Sequence, residues 1–434
     1  MYFGVAMNKL INVFSVLLIF CSSCSVSKKI DRPAKNYILN NSAFVAAHTG
    51  ISIYEPATRK YWYNYQGDKY FVPASNTKLA TCYSAMKYLG DSLIGIKYDL
   101  LNDSTIVLKA TADPTFLHGD FKNQPVYDFL KKYKSIQVID PAFKDFLGNG
   151  WAWSDYKEDY MAQRSAFPVY GNVVKINWVN SGSLSFVPSF FKSHSDIKEN
   201  LSNGFEVEKP WEKNDFSFLN GRQKLADVPF TPDEKTIQEL LHDTLKTRVE
   251  IIDKYQGKAG HIIHSQPTDS LLKITMHRSD NFFAEQSLLM VSNVLLDEMD
   301  DRKIIDTLLK TDFKSMPQKP SWVDGSGLSR YNLFSPKDLV FILNKMKDEF
   351  GMDRIKNILP TGGTGTISSY YHADSGYIFV KTGTLNGVVA LSGFLYTKKN
   401  KLLIFSILVN NHRSAPTTIR KEMEKFIQDL RNNY

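Results

Sequence analysis

Cysteine is scarce in this chain, with three residues in 434, at positions 21, 24 and 82. Two of them fall in an N-terminal leader, so a disulfide framework is excluded and stability has to come from packing. Internal repeats and low-complexity tracts are also missing, which excludes solenoids and long flexible linkers. Hydrophobic residues at 43% and charged residues at 23% exclude both a disordered chain and a polytopic membrane protein. At this length, two or three domains are expected. The net charge of +8 suits an anionic polymer or a membrane surface. Its basic residues are scattered, however, and the densest cluster of the first half, Lys131, Lys132 and Lys134, reads as a solvated face, so no nucleic-acid module is present. No metal pattern is complete either. His261 and His264 sit in a β-like run with no cysteine or carboxylate partners, His277 is a neighbour of a motif described below, and no metal or cofactor is called for.

What is present begins with a leader. After Lys9 an apolar run from Leu10 to Cys21 is broken only by Asn12 and Ser15, and Ser22-Ser23-Cys24 follows. This reads as a signal peptide over residues 1–24, with Met7 an alternative start, and it is too short for a membrane span. Small residues before Cys24 resemble a bacterial lipobox, which makes Cys24 the expected lipidation site and the leader or lipid anchor the only membrane contact; ordinary cleavage near Ser23 or an uncleaved anchor is the alternative.

Alternating aromatic-rich runs at Ala46–Tyr54 and Lys60–Tyr65 predict a strand pair. Tyr377–Thr384, Val388–Thr397 and Leu402–Asn410 predict three more strands. Asn386-Gly387 is expected to make a tight turn with positive φ at both residues. Ile419, Met423, Phe426, Ile427 and Leu430 recur at helical spacing and give one apolar stripe to lay on a sheet. Leu79, Tyr83, Met86 and Leu89 predict a helix from about Ser75 to Leu89, stopped by Gly90. Thr231-Pro232-Asp233-Glu234 predicts another, with Thr231 as N-cap and Pro232 at the first helical position. The aromatic, loop-rich stretch from about Tyr98 to Phe230 reads as an insertion.

Three short elements carry chemistry. Ser75-Asn76-Thr77-Lys78 opens a helix, and residues i and i+3 share a helix face, so the Ser75 hydroxyl and the Lys78 amine can meet. The helix N-terminus disfavours a second cation, which helps Lys78 serve as a base. Ser279-Asp280-Asn281 precedes a helix near Phe282; its serine can relay a proton and its amide can bond a carbonyl. Lys381-Thr382-Gly383-Thr384 lies on a strand, where Lys381 offers charge for a carboxylate, the threonines offer hydroxyls, and Gly383 admits a substrate backbone. Each element alone has a structural explanation as a cap or an edge strand. The three in this order are far more specific.

The set resembles the serine penicillin-binding proteins and β-lactamases. Asp324-Gly325-Ser326-Gly327-Leu328-Ser329-Arg330-Tyr331-Asn332, Gly362-Gly363-Thr364-Gly365-Thr366 and the long insertion extend the resemblance to the class C low-molecular-mass penicillin-binding proteins, the D-Ala-D-Ala carboxypeptidase/endopeptidase family, from about Phe44 onward. That likeness implies an α/β transpeptidase fold, with an antiparallel five-stranded sheet flanked by helices, a helical subdomain and a β-rich inserted domain. On that pattern residues 25–96 and 233–434 form the catalytic domain and residues 97–232 the insertion.

The resemblance further implies Ser75 as nucleophile and Lys78 as base, with Ser279 and Asn281 in proton transfer and substrate alignment. Lys381 and Thr382 would hold the terminal carboxylate beside Gly383, and the N–H groups of Ser75 and Thr384 would form the oxyanion hole. In Gly150-Trp151-Ala152-Trp153-Ser154-Asp155, Asp155 would meet a diaminopimelate amine while Arg330 meets its carboxylate, with Tyr160 and Asn386 nearby; a structural ion-pair role is equally open for Asp155 and Arg330. Ala112-Asp113-Pro114-Thr115 departs from the family's usual glycine at its first position and leaves that turn open. The expected substrates are peptidoglycan stem peptides, with β-lactams as covalent inhibitors, and the expected location is the periplasm. A β-lactamase or esterase, and a non-catalytic penicillin-sensing or peptidoglycan-binding protein, remain alternatives.

Overall fold

The computed structural model describes residues 27–140, 143–180 and 182–434. The expected leader and Cys24 lie outside these residues. The chain forms two compact units. One runs up to Leu79 and includes Ser315–Trp322 and Asn332–Tyr434; the other comprises Ala80–Lys314 and Val323–Tyr331.

The first unit is built on a five-stranded antiparallel sheet in the order Ile378–Leu385, Val388–Tyr396, Leu402–Asn410, His48–Glu55, Lys60–Tyr65. Both chain ends feed it, as the alternating runs predict. Strand Leu402–Asn410 is central and buried along nearly its whole length, which is why it reads as a continuous apolar run rather than an alternation. The terminal helix Pro416–Asn433 lays Ile419, Met423, Phe426, Ile427 and Leu430 onto a core shared with Ile51, Leu391, Phe405 and Ile407. Helix Pro336–Ile358 starts with a reciprocal cap: Ser335 Oγ accepts from Asp338 N–H and Asp338 Oδ2 accepts from Ser335 N–H.

The two-residue turn at 386–387 forms, with one correction. Only Gly387 takes positive φ, at 73°, and Asn386 does not. A single left-handed residue suffices to reverse the strand, and glycine carries it without a Cβ penalty.

The second unit contains the insertion and the helices around Ser279. A mixed five-stranded sheet runs in the order Arg248–Ile252, Ser135–Ile139, Thr105–Ala110, Ser92–Asn102, His261–Pro267. Thr105–Ala110 and Ser135–Ile139 lie within residues 97–232, Ser92–Asn102 straddles their start, and Arg248–Ile252 and His261–Pro267 follow them. Two three-stranded sheets, one of Val173–Asn180, Ser183–Val187 and Leu225–Pro229 and one of Ser195–Ile197, Phe205–Glu208 and Phe216–Asn220, add to a core rich in phenylalanine. Lys131, Lys132 and Lys134 are exposed.

The helix at Glu234–Leu245 is capped by Asp233, whose carboxylate accepts from Thr236 N–H at 2.7 Å, and not by Thr231. Thr231 is held elsewhere, because its N–H and C=O both bond the side chain of Asn214. Ala112 sits at φ 64°, the left-handed conformation for which glycine is favoured. It is fixed there because its N–H bonds Ala166 O and its carbonyl accepts from Gln286 Nε2.

Candidate active site

The segment before Ser75 is pinned before any helix begins. Phe71 exchanges two backbone bonds with Phe334, and the Asn410 side chain bonds both N–H and C=O of Val72. Ala74 then takes φ 48°, a left-handed conformation that an L-residue keeps only when its surroundings enforce it. Ala74–Thr77 forms a 3₁₀ turn rather than the first turn of an α-helix, and the α-helix proper runs Lys78–Tyr88. In a 3₁₀ turn residues i and i+3 eclipse, and Lys78 Nζ accordingly lies 3.0 Å from Ser75 Oγ. Ser75 is half-buried and Lys78 fully buried.

The strand Ile378–Leu385 lies at one edge of the sheet and passes directly beside this turn. A Cβ on Gly383 would come within 2.7 Å of Pro73 O and 3.1 Å of Ala74 Cβ, so only glycine permits the approach. Asn76 Nδ2 donates to Lys381 O at 3.1 Å and ties the two elements together. Lys381 is completely buried, with Nζ donating to Thr382 O at 2.7 Å. Burial, and then the neighbouring Lys78, hold Lys381 well below the ordinary lysine range. Thr382 Oγ1 donates to Thr366 Oγ1 at 2.7 Å, which sets the Gly362–Thr366 loop against the strand. Thr384 is exposed, and Arg420 of the terminal helix donates to its hydroxyl at 2.5 Å. The first unit thus brings together Ser75, Lys78, Lys381, Thr382 and Gly383. Asn386 is exposed on the turn that follows the strand.

The second unit gathers another group. Ser279 ends a π-helical turn, Thr275–Ser279, at φ 61°. Asp280 caps the next helix, Asn281–Leu296, by accepting from Phe283 N–H. Asn281 Nδ2 donates to Tyr160 O at 2.9 Å. Burial, then a hydrogen bond to Asp155, push the Tyr160 phenol up to about 12. Asn281, Tyr160 and Asp155 are therefore one connected set. Arg330 is exposed on the Val323–Tyr331 loop, and Gly150 abuts its neighbours Ser329 and Tyr331. That loop is organised by Asp324, which accepts from the N–H groups of Gly327 and Ser329 and from Trp151 Nε1.

Several residues of this architecture escaped the sequence. Asn76 occupies a variable position of the serine element, flanked by the polar Ser75, Thr77 and Lys78, and nothing in the sequence sets it apart. Arg420 and Arg164 gave no signal at all, and Thr366 stood in the Gly362–Thr366 motif with no role of its own. Arg164 is buried and pairs with Asp301 at 2.5 Å and Glu285 at 3.4 Å. Among the described residues no three histidine, cysteine, aspartate or glutamate side chains cluster as metal ligands, and no helix is long and apolar enough to cross a membrane.

Comparison with known proteins agrees with this geometry. Residues 34–199 and 234–430 match the D-Ala-D-Ala carboxypeptidase 3 (S13) family. The D-alanyl-D-alanine carboxypeptidase DacB of Haemophilus influenzae is 23% identical, over 86% of this chain and 87% of its own. Penicillin-sensitive carboxypeptidase A of Dictyostelium discoideum is 22% identical, over 80% of each chain. Among solved structures, penicillin binding protein 4 (dacB) of Haemophilus influenzae superposes with a TM-score of 0.72 at 20% identity, covering 92% of this chain and 98% of its own. Bd3459, a predatory peptidoglycan endopeptidase of Bdellovibrio bacteriovorus, superposes at 0.53 and 15% identity, covering 89% and 93%. The fold is therefore that of penicillin binding protein 4, and the chain belongs to the D-Ala-D-Ala carboxypeptidase 3 (S13) family, as a serine D-Ala-D-Ala carboxypeptidase of the class C low-molecular-mass penicillin-binding type.

Proposed function

We propose that Ser75 is the nucleophile of this peptidase and that the reaction proceeds through an ester on its Oγ. The contact of 3.0 Å between Lys78 Nζ and Ser75 Oγ carries the reading, because it supplies a base within proton-transfer reach of a hydroxyl that is otherwise a poor nucleophile. Lys78 takes the Ser75 proton as Oγ attacks the carbonyl carbon of the penultimate D-alanine. The oxyanion is received by the N–H groups of Ser75 and Thr384. In support, Val380 N–H points outward from the sheet to Pro360 O, and the two-residue period of a strand turns the N–H of Thr382 and Thr384 to that same edge.

Breaking the C–N bond releases D-alanine, its amine protonated by way of Ser279 while Asn281 aligns the peptide. Water then cleaves the ester and restores the hydroxyl. Lys381 and Thr382 hold the substrate's terminal carboxylate along Gly383, and β-lactams acylate the same oxygen. Asp155, Tyr160, Arg330 and Asn386 are assigned to the stem-peptide side chain, on the support of the Asn281–Tyr160–Asp155 linkage. The enzyme works outside the cytoplasm, in the periplasm, anchored through a lipid on Cys24.

Incubation with benzylpenicillin followed by peptide mass mapping tests the nucleophile. One covalent adduct on the peptide containing Ser75, lost in Ser75→Ala with the fold intact, is expected. An adduct on another residue, or undiminished labelling of Ser75→Ala, rejects the assignment.

A further inference from the structure

A carboxylate-binding end of the site needs a cation, and Lys381 is poorly placed to be the whole of it. It is completely buried, beside a second lysine, with Nζ turned to the backbone carbonyl of Thr382. Burial and the neighbouring Lys78 both oppose a full charge at that position. The exposed end of the same strand has a different cation. Arg420 projects from the terminal helix Pro416–Asn433 and donates from Nη2 to Thr384 Oγ1 at 2.5 Å.

Among the described residues no carboxylate pairs with Arg420. Glu424, one turn further along the helix, accepts from the Tyr371 amide instead. A guanidinium keeps its charge at any working pH, and its fork of donors matches both oxygens of a carboxylate. Ile419, one position before it, is fully buried in the core, so the base of the arginine is fixed by packing rather than floating on a mobile surface.

We propose that Arg420 is a specificity residue of this peptidase, supplying the permanent positive charge that, with the hydroxyls of Thr382 and Thr384, selects substrates ending in a free carboxylate. This rests on the serine-peptidase reading above. It also gives Thr384 two duties, its backbone N–H facing the oxyanion and its hydroxyl, oriented by Arg420, facing the terminal carboxylate.

The test compares an acyl-D-Ala-D-Ala peptide acid with the same peptide carrying a C-terminal carboxamide, using wild type, Arg420→Gln and Arg420→Lys. Arg420→Gln retains a donor for Thr384 and removes the charge, so kcat/KM for the acid should fall about ten- to a hundred-fold while that for the amide changes little. Arg420→Lys should fall between. The acid-to-amide ratio within each variant is independent of the fraction of folded enzyme, so partial misfolding does not mask the result. An unchanged ratio in Arg420→Gln overturns the role of Arg420 alone. A wild-type enzyme that cleaves neither peptide and is not acylated by penicillin overturns the serine-peptidase reading beneath it.

Discussion

The side-chain amide of Asn76 donates to the carbonyl of Lys381 across 3.1 Å, joining two residues 305 positions apart in the chain. One partner sits immediately after the serine and the other lies in the middle of the strand that passes along it. Register between the serine turn and the strand therefore depends on a residue that the three recognisable motifs leave free to vary.

That bond makes Asn76→Ala informative. Asn76 Oδ1 is buried and has no hydrogen-bond partner among the described residues, so the substitution removes one good bond together with one poorly satisfied group. The net stability loss should be small, about 1 kcal/mol. Penicillin acylation should slow by ten-fold or more, on the order expected when reacting groups are misplaced by a fraction of an ångström. Melting temperature and stopped-flow acylation measured on one preparation separate the two effects; a large loss of stability with normal acylation would show the bond to be purely structural.

Gly383 offers a sharper steric test. The groups a Cβ would strike are backbone and a short side chain, Pro73 O and Ala74 Cβ, and neither can rotate away. Gly383→Ala must therefore push the strand off the serine turn. Overpacking of this kind costs about 1–3 kcal/mol, which leaves the protein folded. Loss of acylation with retained circular dichroism is expected, and full activity would mean that the strand has room the structure denies.

Much of this was readable in advance. Lys60–Tyr65 and Leu402–Asn410 are legible to the residue, because an aromatic-rich run bounded by turn residues and a continuous apolar run are local signals that the sheet merely completes. The Ser75–Lys78 contact was readable too, since its partners are three residues apart. The bond from Asn76 to Lys381 and the Arg420–Thr384 pair were not, as their partners meet only after the sheet is assembled. Ala112 shows the intermediate case: its position lacks the family's usual glycine, and alanine is held there at positive φ by one backbone bond to Ala166 and one from the Gln286 side chain.

Lys381 links the site to pH. Its pKa in the folded state is held below the ordinary lysine range by burial and by Lys78, so between the folded and unfolded values the unfolded chain binds more proton than the native state. Stability from this group is fully present above the unfolded lysine pKa and is lost as pH falls toward the folded value. Against Lys381→Met, wild type should therefore gain stability as pH rises toward the unfolded lysine value of about 10. Denaturant titrations of both proteins across that range would read the slope directly. Equal slopes would mean that Lys381 is protonated in the native state, and its role in holding a carboxylate would then need no proton uptake.

The buried cluster around Arg164 predicts the opposite pH response in the second unit. Glu285 is raised to about 7, first by burial and then by the Asp324 carboxylate, which together outweigh the attraction of Arg164. A folded pKa above the unfolded one means stability that is complete below about pH 4.5 and lost as pH rises through about 7. Glu285→Gln keeps an acceptor for Ser326 N–H, the bond that Oε1 makes at 2.7 Å, and removes the titration. Wild type should therefore lose stability relative to the glutamine variant across that window. Arg164→Met should behave differently, leaving Glu285 and Asp301 without their cation and costing about 3–5 kcal/mol near neutrality. Acidification should recover part of that loss by protonating Glu285. A pH-independent deficit in Arg164→Met would show that its hydrogen bonds to the carbonyls of Asp145 and Leu147, and not its charge, hold the cluster together.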